Sequence, residues 1–482
     1  MGLENCLRLS DIKANRPKYK KIFLYRVCGT GMGATACLLK QAGLEVEGGD
    51  VRFEPPMSDY LKETGIPLYE LSEINEQFFK DHQYDLIVVG NVVPKGSEDA
   101  KIIENSGIDF CSFPAALGGL FLCDKNVVGV AGTHGKTTTT YFLKQIFTKL
   151  GYSPGYFIGG VLADAPSSSL GESDYFFIES DEYDSAYFEK ISKFRLYELD
   201  HMILTSLEFD HADIFANIHD IQEQFRPVLE ELPGSFIYDE TYSSAVELIS
   251  SLQNYDQIKK IPYATATTGP SLIHEGPEGS VFDLIYERNM RRFETNLVGR
   301  HNLLNLSACL IFCETQGVPY EKAAEAVKEL FHVKRRQEVR GRLGSALVID
   351  DFAHHPKAVE LTLLGLKTKY PGKKLTVVFE PNSATARSSL FQEEFTEAFK
   401  ISDRLLVTKP SKPTSVKFAS DLNLQKMVSL LVHEGKEAGV VESLDQLLEG
   451  LKPSYGEENL IVILSNGTCL GFWESDLAKN LV

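Results

Sequence analysis

The sequence predicts an α/β protein of three domains, and three observations carry that prediction. Short apolar runs of strand length recur along the chain, among them Ile22–Cys28, Val127–Ala131 and Leu460–Leu464. The segments between them place apolar residues at helical spacing, and strands that alternate with helices build mostly parallel sheets. Two glycine loops, at Gly29 and Gly132, each follow an apolar run and open a helical pattern. A chain of 482 residues holds several domains of about 100–200 residues each. The boundaries read as 1–124, 125–338 and 339–482.

In the first segment the strand Ile22–Cys28 runs into Gly29-Thr30-Gly31-Met32-Gly33-Ala34. A helix then ends near Gly43, and Asp50 comes after a short second strand. Gly-x-Gly-x-x-Ala with an acid about twenty residues on is a dinucleotide-type fingerprint. By itself it suits NAD as readily as any other diphosphate. Tyr84–Val89 supplies a further buried strand.

The second segment carries Gly132-Thr133-His134-Gly135-Lys136-Thr137-Thr138 between the run Val127–Ala131 and apolar positions Phe142, Leu143, Ile146, Phe147 and Leu150. Strand, glycine loop, helix is the context of a phosphate-binding loop. Backbone N–H groups at the helix start face phosphate oxygens, and Lys136 adds a point charge. Thr137 offers a hydroxyl to Mg²⁺, and Phe176–Glu179 ends a buried strand in a carboxylate, the second anchor for that cation. The longer form of the loop motif wants glycine at 130, where Val130 stands, so the chain has the shorter Gly-x-x-Gly-Lys-Thr. A plain helix cap is the bland alternative, which the lysine and threonines count against. Beyond Glu179, the acids Asp181, Glu182 and Asp184 read equally as site or solvated turn. His211, in Leu207-Glu208-Phe209-Asp210-His211, reads as a ligand for a second cation or as an ordinary loop histidine. Residues 234–295 contain short strand-like runs, and Gly299-Arg300-His301-Asn302 leads into a helix with Asn305.

The third segment follows the basic stretch Lys334-Arg335-Arg336 and opens on Ala346–Asp351. Strands are expected at Leu375–Phe379, Arg404–Val407 and Leu460–Leu464. His354 and His355 lack a cysteine or third histidine at ligand spacing, so zinc is not expected. The net charge of −18 argues against a nucleic-acid or anionic-membrane surface. No apolar run reaches the ~18 residues of a membrane span, and the first 21 residues lack a signal-type core, so a cytoplasmic protein is expected. The eight cysteines have no paired spacing, as expected of buried thiols.

Taken together and in order, these motifs resemble the ATP-dependent Mur ligases of peptidoglycan metabolism over essentially the whole chain. The resemblance implies a Rossmann-like UDP-binding domain, a phosphate-loop ATPase domain and a Rossmann-like C-terminal domain that receives the peptide or amino acid. It implies ATP and Mg²⁺ as cofactors, UDP-N-acetylmuramate and a murein peptide as substrates, and no nucleic-acid or membrane partner. Lys136 would contact the β/γ-phosphates with its loop, Gly132 to Thr138. Thr137 and Glu179 would hold the first Mg²⁺ and His211 the second. Asn302 and Asn305 would contact adenine, Arg336 the γ-phosphate, and Asp351 the ribose. Gly29, Gly31, Gly33 and Asp50 would hold the UDP end, which resolves the NAD alternative. Arg387 would meet the incoming carboxylate.

Within the family, Glu182–Phe188, Phe379–Arg387 and Ser465-Asn466-Gly467 resemble the branch that joins a murein tripeptide, rather than L-alanine, to UDP-N-acetylmuramate. Asn382 departs from that branch, where arginine is expected. Gln224-Phe225-Arg226-Pro227 lacks the lysine that some relatives carbamylate. The reading implies an acyl-phosphate intermediate, and because acyl phosphates hydrolyse, a third domain hinged at the basic segment Lys334–Arg340 is expected to close over ATP. A nucleotide-binding regulatory module without ligase activity and a dehydrogenase built on the first segment are the readings from other classes.

Overall fold

The computed structural model describes residues 3–55, 57–162, 165–210, 214–253, 256–265, 267–410, 412–416 and 419–481. The chain forms two compact units: Met1–Leu207 with Ile221–Tyr263 and Ile311–Gly317, and Glu208–Asp220 with Ala264–Leu310 and Val318–Val482.

The first unit holds two largely parallel sheets. One contains Lys21–Tyr25 (β1), Glu45–Asp50 (β2), Leu68–Glu70 (β3), Leu86–Val89 (β4) and Phe110–Ser112 (β5), in the order β3-β2-β1-β4-β5. All of its pairings are parallel. β4 is buried at every residue and β1 at all but its first, as strands covered on both faces must be. Strand order reverses between β1 and β4, and ligands of parallel sheets collect at such reversals. The helix Thr30–Gln41 starts directly beyond β1.

The other sheet contains Asn126–Ala131 (β6), Gly155–Phe157 (β7), Ser168–Ser169 (β8) and Tyr175–Ser180 (β9). A ribbon of Asp184–Ala186 (β10) and Glu189–Ser192 (β11) leads on to His201–Leu204 (β12), Ser235–Asp239 (β13) and Lys259–Tyr263 (β14). The order is β14-β13-β12-β6-β9-β7-β8, parallel except for the edge strand β8. β6 lies between β12 and β9, so the loop after it opens among the carboxyl ends of its neighbours.

Within this unit the helix Phe113–Leu120 lies against the turn Lys193–Leu196, and a Cβ on Gly118 would sit 1.9 Å from the Leu196 carbonyl oxygen. A backbone atom cannot rotate aside. Gly118→Ala is therefore expected to destabilise by about 3 kcal/mol or more through overpacking, with roughly 1 kcal/mol returned by alanine's helix preference. A urea melt with an unchanged midpoint would refute the close approach.

The second unit begins with an antiparallel sheet of Ser271–Gly276 (β15), Gly279–Tyr286 (β16) and Asn289–Thr295 (β17). Six strands follow: Glu338–Leu343 (β18), Ala346–Asp351 (β19), Lys374–Phe379 (β20), Arg404–Thr408 (β21), Glu437–Val441 (β22) and Asn459–Leu464 (β23). Their order is β18-β19-β23-β20-β21-β22, with only β18 antiparallel. β23 is buried throughout, and a core of Val359, Leu363, Leu375, Val377, Phe395, Phe399 and Val462 covers one face. The edge strand β22 carries no strong apolar run, which is why the sequence pattern does not announce it. The eight cysteines are free thiols. Among the described residues no helix is long and apolar enough to cross a membrane.

Candidate active site

The loop after β6 is held close against the end of β12. Gly132 has φ +133°, and a Cβ there would lie 2.6 Å from Thr205 Oγ1 and 2.8 Å from the Ser206 nitrogen and oxygen. Only glycine lets the loop pass the end of β12 so closely. Ser206 Oγ accepts the His134 N–H at 2.7 Å, and Thr205 Oγ1 donates to the Ala131 carbonyl at 3.1 Å. Gly135, in the left-handed conformation, starts the helix Lys136–Lys149 without any side-chain cap. The first N–H groups of that helix thus take no cap from Gly135, the arrangement that favours an anion.

Lys136 Nζ donates to the Gly132 carbonyl at 2.6 Å, and Asp181 and Glu182 lie 3.7 and 3.6 Å from it. Glu182 is buried, so it is not part of a solvated turn. Asp184 pairs with Lys190 across the β10–β11 ribbon at 2.8 Å. Thr137 Oγ1 donates to Glu179 Oε1 at 2.6 Å, and Glu179 Oε2 accepts the Gly159 N–H at 2.7 Å. Burial pushes the Glu179 carboxyl above its usual range and the Asp181 charge adds to the push; Thr137, Lys136 and the Gly159 N–H oppose them. A hydroxyl and a buried carboxylate beside a phosphate-type loop are the oxygen donors Mg²⁺ prefers, and a cation there would relieve the cost of that buried charge. The sequence motif contains neither Thr205, Ser206 nor Gly159. The position of Thr205 and Ser206 just beyond an apolar strand is the signal that could have found the first two.

At the reversal of the first sheet, Gly29, Thr30 and Gly31 start the helix that follows β1. A Cβ on Gly33 would fall 2.1 Å from Met57 Sδ, so Gly33 serves helix packing, while nothing lies within 4 Å of one on Gly29. Asp50 ends β2. Its Oδ2 accepts the Cys28 N–H at 2.8 Å and its Oδ1 the Val51 N–H at 2.7 Å. Asp50 therefore shapes the loop behind Gly29 with both carboxylate oxygens.

In the second unit, Asn302 and Asn305 are buried on the first turns of the helix Arg300–Thr315. Asn302 Nδ2 donates to the Val298 carbonyl at 2.8 Å. Asp351, expected at a ribose, is buried at the end of β19; its Oδ2 accepts the Gln337 N–H and its Oδ1 the Ala353 N–H, each at 2.8 Å. It holds backbone in this structure. Burial raises its carboxyl, and the Arg336 charge works against that rise. The Arg336 guanidinium lies 5.2 Å from the Phe352 ring centre.

The Phe379–Arg387 and Ser465–Gly467 stretches, remote in sequence, pack on each other. Glu380 Oε2 accepts from the Ser465 hydroxyl and from the Cys469 N–H. A Cβ on Gly467 would lie 2.7 Å from both Glu380 Oε2 and Asn382 Nδ2. Arg335 donates to the Ser465 carbonyl at 2.7 Å. Thr385 Oγ1 donates to Asp210 Oδ1 at 2.9 Å. Arg387 gives its Nε to the Pro413 carbonyl at 3.1 Å and Nη1 to the Asn382 carbonyl, so part of its fork already holds its own loop. Gln224 Oε1 accepts the Ser192 N–H at 3.2 Å. His211 lies outside the described residues.

Family models match along the chain: the Mur ligase family catalytic domain over 21–122, the Mur ligase middle domain over 130–313, and the Mur ligase glutamate ligase domain over 335–467. The chain belongs to the Mur ligase family. The UDP-N-acetylmuramate–L-alanyl-γ-D-glutamyl-meso-2,6-diaminoheptandioate ligase of Haemophilus influenzae is 31% identical, covering 95% of this chain and 99% of that protein. Its counterpart of the same name in Escherichia coli is 32% identical over 93% of this chain and 95% of that protein. The crystal structure of a murein peptide ligase from Psychrobacter arcticus superposes with a TM-score of 0.68 at 28% identity, covering 96% of this chain and 99% of that one.

Proposed function

We propose that this chain is an ATP-dependent ligase that joins the murein peptide L-Ala-γ-D-Glu-meso-diaminopimelate to UDP-N-acetylmuramate during peptidoglycan recycling in the cytoplasm. One observation carries the reading: Thr137 and Glu179 meet at 2.6 Å directly behind the loop that carries Lys136. The names of the two curated relatives support the choice of substrates. So does the packing of the two stretches that mark the peptide-joining branch.

In this reading residues 1–124 take the UDP end through the helix start Gly29–Gly33, residues 125–338 take ATP, and residues 339–482 take the peptide. Lys136 and the loop N–H groups bind the β/γ-phosphates, and Arg336 binds the γ-phosphate. Asn302 and Asn305 face adenine, Arg387 faces a peptide carboxylate, and His211 supports a second cation. Thr137 and Glu179 hold Mg²⁺, which supplies charge neutralisation at the phosphates.

A carboxylate is a poor electrophile because its charge repels an amine and oxide is a poor leaving group. Its attack on the γ-phosphorus of ATP expels ADP and gives an acyl phosphate. The amine of the L-alanyl end then attacks the acyl carbon, the tetrahedral oxyanion collapses, phosphate leaves and the ammonium proton is lost. Lys136 and Arg336 act by positioning and by offsetting developing charge.

The deciding assay is phosphate release from ATP that requires both UDP-N-acetylmuramate and an amine acceptor. Tripeptide is expected to support turnover at least ~100-fold better than L-alanine, the discrimination open to a site that pairs polar substrate groups. Turnover with L-alanine and none with tripeptide would assign the chain to the alanine-adding branch. ATP binding without product would leave only a regulatory role.

A further inference from the structure

The turn that carries Arg336 is strained. Arg335 and Gln337 have φ of +59° and +48°, a left-handed backbone that costs a residue with a side chain about 1 kcal/mol or more and persists only where its surroundings impose it. Carboxylates impose it here. Glu338 Oε2 accepts the Arg335 N–H at 2.7 Å, Asp351 Oδ2 accepts the Gln337 N–H at 2.8 Å, and Asp350 lies 3.3 Å from the Arg335 guanidinium. The Arg335 carbonyl in turn accepts the Phe352 N–H at 2.8 Å.

Gln337 adds a second hold. It is buried, and its Nε2 lies 3.4 Å from His301 Nε2, one residue before Asn302. Gly365 leaves the room for this contact: a Cβ there would sit 3.4 Å from the Gln337 amide and 3.3 Å from the His301 ring. Burial, helped by the nearby Arg336 charge, lowers the His301 pKa to about 4, so the ring is neutral, and in the tautomer with its proton on Nδ1 its Nε2 accepts from the amide. One residue thus ties the helix bearing the two asparagines to the turn bearing the arginine. We infer that Gln337 is a positioning residue for phosphoryl transfer, its buried amide on His301 and its backbone on Asp351 together aiming the Arg336 guanidinium. The inference rests on the proposed role of Arg336 at the γ-phosphate.

Gln337→Met keeps the side-chain volume and removes only the amide. Steady-state kinetics with saturating acceptor should show kcat reduced about 10–100-fold, the scale of a misplaced catalytic group. KM for ATP and ADP affinity by calorimetry should stay within about threefold, since aiming matters chiefly in the transition state. Gln337→Gly also removes the amide and adopts the turn without backbone strain; it should lose kcat in the same way. Wild-type kcat in either folded variant, alongside an inactive Arg336→Ala enzyme, would overturn the inference and leave the proposed function standing. Parallel loss of ADP affinity and melting temperature would reduce Gln337 to a structural role and overturn it too. Wild-type kcat in Arg336→Ala would remove the role on which the inference rests.

Discussion

Lys136→Ala is expected to lower ATP-dependent turnover by about 10³-fold or more, the upper range for removing one charged donor from a preorganised site. The lysine sits one residue past a left-handed glycine at the start of its helix, in the loop held by Thr205 and Ser206. Backbone therefore fixes where the side chain starts, and the Gly132 carbonyl at 2.6 Å holds its ammonium end. Without nucleotide the ammonium rests near Asp181 and Glu182, and the Lys136 and Glu182 side chains are only 12% and 6% exposed. Truncation leaves those acids without this cation, so a stability loss of up to ~3–5 kcal/mol accompanies the kinetic one. Lys136→Arg separates the two: it keeps a charge beside the acids but cannot place it at the same point. Near-normal melting with turnover still down by two decades or more is the expected result for Lys136→Arg. A folded Lys136→Ala enzyme with normal turnover would end the phosphate-loop assignment.

What the sequence disclosed and what it concealed follow the range of the interactions. The strand, glycine turn and helix around Lys136 were legible because they are contiguous, and so was the buried strand that carries Glu179 near its end. The mostly parallel sheets were legible through the same alternation of apolar runs and helical spacing. Asp50 shows the limit. An acid at dinucleotide spacing gives no sign that both of its oxygens accept N–H groups of its own loop. Asp351 is similar, with Gln337 reaching it across fourteen positions of chain. The left-handed φ of Arg335 and Gln337 had no composition signal at all, since neither is glycine or asparagine. The contact between Glu380 and Ser465 spans 85 residues and exists only because β20 and β23 are neighbours in the sheet.

Glu179→Gln should separate metal binding from folding. The carboxylate lies buried between the Thr137 hydroxyl and the Gly159 N–H, and its pKa is raised, burial being the larger cause and the Asp181 charge the next. A carboxyl raised in the folded state contributes stability that is fully present below its ordinary value of 4.5 and is lost as pH rises through the raised value. At neutral pH without metal, the ionised side chain is therefore a cost that glutamine does not carry. Metal-free Glu179→Gln is expected to melt at or above the wild-type temperature at pH 7.5, with the gap closing as pH is lowered. Turnover should nonetheless fall by about 10²–10³-fold, because the amide supplies neither the charge nor the second anionic oxygen that a divalent cation requires. The rise in melting temperature that Mg²⁺ with ATP gives the wild type should shrink accordingly. A variant that melts well below wild type without metal would mean that the carboxylate is there to hold Thr137 and Gly159. A variant that keeps its Mg²⁺-dependent rise and its turnover would place the cation elsewhere.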